Sequence, residues 1–227
     1  MTKWISFAIA CGLMMGCAQQ QRTLQTGPTA EVTHDGLVRV DHSAMQYAWI
    51  KPDINLSTYS KFMVAEPEFE FRAVRNTGTR RSSSTNEFAI SESGKQKLIE
   101  TVQDVFRDEL SKSKYFTRVD GPGPDVLLIE GAMLDIVSRV PPDMVGRGDI
   151  FLDRVGEATL VLQISDSMSG ETFARAADRR AAEPATGGVR ANTVTSIAEV
   201  RRLARRWATR LREAMDELHD RGPLEST

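Results

Sequence analysis

Two acidic arrays and one basic ridge are the residues whose types and spacing could do chemistry. Glu68 and Glu70 share one face of an alternating segment, opposite Phe69 and Phe71, while Glu100, Asp104 and Asp108 recur every four residues. Carboxylates so placed could hold a hard cation. Calcium-type sites take about 6 to 8 oxygen ligands, however, and no glycine-punctuated loop supplies the rest. A solvated face is the plainer reading of both arrays, and no metal ligand set is assigned. On the basic side, Arg202, Arg206 and Arg210 follow one another at i, i+4, flanked by Arg205 and Arg212. Like charges at that spacing oppose each other by about 0.2–0.5 kcal/mol per pair. Glu199, Glu213 and Asp216 lie within reach and can neutralise the ridge. The functional reading is contact with an acidic partner surface, anionic lipid or glycan. Asp178, Arg179 and Arg180 pose the same choice at a strand end, so both groups stand as candidate interaction residues.

No catalytic set assembles from the remaining residues. The chain has no G-x-S-x-G elbow, P-loop, dinucleotide-binding fingerprint or H-E-x-x-H pair. The serines at 82–84 have no histidine base nearby in sequence, and the RGD tripeptide at 147–149 is given no adhesion role. His219 sits at the end of a helical pattern, where a cation complements the helix dipole. No acid/base pair with an orienting third group can be built from the spacing. The expectation is a protein that is not an enzyme and carries no cofactor.

One residue does predict a covalent event. The segment MTKWISFAIACGLMMGC opens with Lys3, continues with an uncharged apolar run, and gives way to Gln19, Gln20 and Gln21. That is a signal-peptide layout, too short for a spanning helix of about 17–25 residues. Gly16 before Cys17, with Leu13 to Met15 upstream, resembles the bacterial lipobox, with Met14 where Leu is more usual. Cys17 is therefore the expected first mature residue and lipid attachment site. Cys11, the rival after Ala10, would leave a shorter apolar region. By resemblance to lipoproteins, Ala18 and Gln19 are not the Asp-type inner-membrane retention signal, which implies an outer-membrane anchor facing the periplasm. Several acyl chains, at about 0.8 kcal/mol per buried methylene, would hold the protein there.

Composition narrows the rest. The hydrophobic share is 41% and the charged share 26%, ordinary for a soluble domain with one core. Without Lys3 the mature chain carries 28 Lys and Arg against 31 Asp and Glu, a balance that shows no nucleic-acid footprint. Loss of Cys11 and acylation of Cys17 would leave no thiol, disulfide or cysteine metal site.

The elements that must position these residues follow from periodicity. Residues 1–16 read as signal and 17–45 as lipidated N-terminus and flexible tether, with GLVRVD as a possible short edge strand. A 27-residue coil would span about 30 Å. A strand is expected near 60–72, broken at Pro67. Leu98, Val102, Val105, Phe106 and Leu110 mark an amphipathic helix capped by Ser91 or Ser93. After a turn at 121–124 the chain runs extended. GEATLVLQIS alternates as a half-buried strand, and DSMSGE turns it into ETFARAADRR. A long helix over 194–219 carries Val200, Ala204, Trp207, Leu211, Met215 and Leu218 on one stripe, and 221–227 is a tail. The order predicts a single α+β domain over 46–220, two-layered. Its mixed β-sheet has a right-handed crossover helix between parallel strands, and both helices lie on one apolar face.

The blocks YAWIKPDINLSTYSKFMV, DELSKSKYFTRVDGPGPDVLLIEGAMLDIV, VGEATLVLQISDSMSGETFARAADRRA and WATRLREAMDEL resemble a Gram-negative lipoprotein family known as domain of unknown function 3313. The resemblance covers most of 47–219, and its most specific pieces are the PGPDVL turn, the D-S-x-S-G-E hairpin and the A-D-R-R run. The stretch GLVRVDHSAM and the short loop after Val140 depart from the family pattern. The family implies a lipoprotein without assigned activity, so no catalytic residue is carried over. The expected function is a membrane-anchored periplasmic, non-enzymatic accessory or protein-interaction module of the envelope. The alternative is a small-molecule or lipid-binding carrier, which a pocket of about 300–1,000 Å³ between sheet and helices would favour.

Overall fold

A computed structural model describes residues 21–74, 87–141, 151–184, 187–190 and 192–225. The sheet is built from β1 (Thr23–Leu24), β2 (Val38–Asp41), β3 (Tyr47–Ile50), β4 (Lys61–Val64), β5 (Glu68–Phe71), β6 (Thr117–Arg118), β7 (Val126–Ser138), β9 (Gly156–Asp166) and β10 (Thr172–Ala182). Its order is β1-β2-β3-β10-β9-β7-β4-β6, with β5 also on β7. A separate two-stranded ribbon joins β8 (Phe151–Leu152) to β11 (Val189–Arg190). The helices are α1 (Glu92–Leu110) and α2 (Thr193–Arg221). This is the expected α+β mixed sheet with a long C-terminal helix.

The alternation in GEATLVLQIS does what its period requires. Ala158, Leu160, Leu162 and Ile164 are buried beneath the helices, while Glu157, Thr159 and Gln163 point to the other face and are half-buried. The Asp166 carboxylate accepts from the backbone N–H of Met168 and Ser169, which closes the turn into β10. Pro67 lies between β4 and β5, and both strands pair parallel to β7, so α1 crosses between parallel strands as expected. Ser91 caps α1, its Oγ accepting from Gly94 N at 3.2 Å. In β7 the register slips between Leu134 and Val137, where Asp135 has a φ of +55°. That bulge aims the Asp135 side chain at Arg72 and Arg179.

The tether reading of 17–45 needs correction over the residues described. β1 and β2 extend the sheet, and Leu24, Leu37 and Val40 are core residues. β2 is the short strand expected in GLVRVD, whereas Leu24 enters the core singly, with no period to announce it. The segment after α2 is likewise more than a tail. Gly222, at a φ of +75°, ends the helix, Leu224 packs against the core, and Leu24 N donates to Glu225 O at 3.1 Å.

Candidate functional site

The expected interaction residues split between the two faces of the sheet. Asp178 points under the helices and is 2% exposed. Its carboxylate accepts from Trp207 Nε1 at 2.7 Å, from the Gln46 backbone N–H at 2.9 Å, and from Arg180 Nε. Arg210 Nη1 lies 3.6 Å from the same carboxylate. Burial, joined by repulsion from Arg180, pulls the Arg210 guanidinium below its ordinary value, against the attraction of Asp178. Three of the six candidate charges therefore turn inward: Asp178 pairs with Arg180 and lies beside Arg210 where α2 crosses β10. A buried charge left unpaired would cost several kcal/mol, and the Asp178 carboxylate meets that cost with three hydrogen bonds, Arg210 adding only its charge.

Arg179, one residue along, faces the opposite side. It donates to Asp135 at 2.7 Å and to Glu157 at 3.2 Å. Asp135 also accepts from Arg72, which reaches Glu87 at 2.6 Å, and Arg139 joins Glu157 at 3.3 Å. The hydrogen bond from Arg72, and then that from Arg179, holds the Asp135 carboxyl below its ordinary range despite partial burial.

On α2, Arg202 pairs with buried Glu199, Arg205 reaches Glu109 at 3.4 Å, and Arg212 reaches Glu213 and Asp216 at 3.3 and 3.4 Å. Arg206 is exposed and has no ion pair among the described residues. The ridge is thus mostly self-neutralised. Of the acidic arrays, Glu68, Glu70, Glu100, Asp104 and Asp108 are exposed, with Asp104 paired to Arg107. Among the described residues no group of three or more His, Cys, Asp or Glu converges as a metal site. His219 stacks on Tyr115 with ring centroids 4.0 Å apart and meets Phe116 edge-on. Cys17, the serines at 82–84 and the RGD tripeptide lie outside the described residues.

Among the described residues, two apolar clefts of several hundred Å³ lie between sheet and helices. One, about 420 Å³, opens between α1 and β4–β5 and is lined by Phe62, Val64, Phe69, Val102, Phe106 and Met133. The other, about 550 Å³, lies between the first turns of α1 and α2, against Ile136, Val137 and Val140. Beside the first cleft β5 pairs with β7 on one side, and its outer edge has no strand partner among the described residues.

A family model described as a protein of unknown function, DUF3313, matches residues 31–211. The chain belongs to that family. As a DUF3313 protein it finds no match among curated proteins. Three solved structures illustrate what it is similar to. A neuraminyllactose-binding hemagglutinin homologue from Helicobacter pylori is 11% identical over 74% of this chain and 88% of its own, at a TM-score of 0.39. A Xanthomonas campestris protein of the DUF330 family is 14% identical over 84% and 91%, at 0.36. PelC from Paraburkholderia phytofirmans, a dodecamer, is 10% identical over 72% and 97%, at 0.29. Likeness at this level carries no argument about chemistry.

Sequence reasoning for this DUF3313 domain missed the clefts and the free β5 edge. Val64, Phe69 and Phe106 read as ordinary core residues, and the one visible signal was Pro67, which shortens the strands along that side.

Proposed function

We propose that this DUF3313 domain is a non-enzymatic binding module of the bacterial envelope, anchored through acyl chains on Cys17 to the outer membrane and facing the periplasm. There it serves as an accessory to another envelope protein. The observation that carries this reading is the outer edge of β5, without a strand partner among the described residues, beside an open apolar cleft. An extended partner segment that added to Glu68–Phe71 would complete the backbone hydrogen bonds and direct alternate side chains toward the cleft. Glu68 and Glu70 keep that edge from pairing with a second copy of itself. The pairing of Asp178 with Arg180 and Arg210, and of Asp135 with Arg72 and Arg179, supports a structural rather than catalytic role for the strongest charge clusters.

The cleft volumes favour a second reading, carriage of an apolar small molecule or lipid, since ligand sites of about 300–1,000 Å³ are usual. A photo-crosslinking side chain placed at Val64 or Glu70 in intact cells separates the two. One defined envelope protein captured at both positions, and lost in Cys17→Ser, is the expected result. A lipid or small-molecule adduct at Val64 alone would replace the accessory role with the carrier. Absence of any adduct at either position would overturn both.

A further inference from the structure

The chain enters the fold at a fixed point. Arg22 Nη1 donates to Glu217 Oε2 at 2.6 Å near the end of α2, and Leu24 is 3% exposed. Gln21 and Arg22 line a polar groove with Lys114, Tyr115, Asp220 and Arg221. The loop after α1 belongs to the same end, because Ser113 donates to Asp216 and Tyr115 Oη to Asp220 at 2.9 Å. Only four residues, 18–21, separate Cys17 from Arg22. At about 3.3–3.6 Å per residue, the five steps between them span at most about 18 Å. The headgroup layer takes up about 5–8 Å of that on one side of a bilayer.

We propose that the end of the domain formed by Arg22, the loop carrying Lys114 and the C-terminus of α2 is its lipid-facing surface, held against phospholipid headgroups by this short leash. The inference rests on acylation of Cys17. The surface suits a headgroup layer: Lys114, Arg212 and Arg221 alternate with Glu213, Asp220 and Glu225 around the groove, which presents no large exposed hydrophobic side chain. Mixed charge of this kind rests at an interface and does not insert. Orientation follows. α1 and α2 run in the same direction, with Glu109 beside Arg205 and Ser113 beside Asp216. The larger cleft, lined by Ser93, Leu98, Ile197 and Val200, is thus at the far end, about 36 Å up α2 at 1.5 Å per residue. It opens away from the membrane, toward the periplasm.

The test uses full-length lipoprotein on phosphatidylethanolamine and phosphatidylglycerol vesicles that contain a headgroup nitroxide lipid. A fluorophore is placed on Lys114→Cys, Arg221→Cys or Ser93→Cys in separate variants. Quenching severalfold stronger at 114 and 221 than at 93 is expected. A flexible Gly/Ser insert of about twenty residues between Gln20 and Gln21, adding about 25 Å of coil, should abolish the difference while the protein stays bound. Equal quenching at all three positions, or a difference that survives the insert, would overturn the proposal. Flotation of native protein against Cys17→Ser, with the mass of the N-terminal peptide, reads the anchor separately. If the native form carries no acyl chain and does not float, anchoring and orientation fall together. If it floats but is quenched uniformly, only the orientation falls.

Discussion

Trp207 Nε1 donates a 2.7 Å hydrogen bond to Asp178 Oδ2 in the interior, and this bond joins the middle of α2 to the middle of β10. Trp207 has no measurable exposure and Asp178 is 2% exposed, so neither group has water as an alternative partner. The indole fixes where α2 crosses the sheet, Arg180 and the Gln46 backbone supply the carboxylate's other hydrogen bonds, and Arg210 lies 3.6 Å away.

Removing that acceptor takes away the partner of Arg180 Nε, the Trp207 indole N–H and the Gln46 backbone N–H, and the counter-charge beside Arg210. Asp178→Ala is expected to destabilise the domain by about 3–5 kcal/mol, whereas Arg206→Ala, on the exposed ridge, should stay within about 0.5 kcal/mol. Urea unfolding followed by Trp fluorescence measures both. A mild Asp178→Ala effect would show that the cluster relaxes into water.

Gly156 and Gly131 lie on neighbouring strands but differ in room. A Cβ at Gly156 would collide with the Val137 carbonyl, a backbone atom that cannot turn aside, while at Gly131 the nearest neighbour is the Leu162 side chain at 3.5 Å. Gly156→Ala is expected to cost about 1–3 kcal/mol, and Gly131→Ala to be near neutral. Thermal unfolding of the pair decides it, and equal shifts would contradict the close approach.

Ser91 satisfies an N–H at the start of α1 that no helical carbonyl can reach. Ser91→Ala should cost about 1 kcal/mol and Ser91→Gly only a few tenths. Equal losses in both variants, read by chemical denaturation, would place the effect elsewhere than in the cap.

Asp135 predicts the acid limb of the stability curve. Arg72 and Arg179 depress its folded value below the ordinary 3.8. Between the two values the unfolded chain binds more protons, so stability rises with pH there. The contribution is complete above the unfolded value and disappears as pH falls through the folded one. Asp135→Asn should lower stability at neutral pH and flatten its fall below about pH 4. Asparagine also tolerates the positive φ at this bulge. An unchanged acid slope in unfolding midpoints would mean the ion pairs do not form in solution.

Period and punctuation by themselves determined much of this protein. The alternation in β9, the three- and four-residue spacing in α1 and α2, the Ser91 cap, the DSMSGE hairpin and the break at Pro67 are local regularities. Each arises because side-chain direction repeats along one element, so a short window contains the information. The family blocks were equally legible, and the lipobox pattern around Cys17 rests on sequence alone. What only the tertiary structure decided depends on two distant segments meeting. Leu24 carries no period, yet β1 pairs with β2 and Leu24 enters the core. Asp178 and Arg179 are adjacent in sequence, but the twofold repeat of the strand sends one into a buried cluster and the other to the open face. Whether a charge is a contact surface or a strut depends on which partner folding brings to it, and Trp207 and Asp135 come from 29 and 44 residues away.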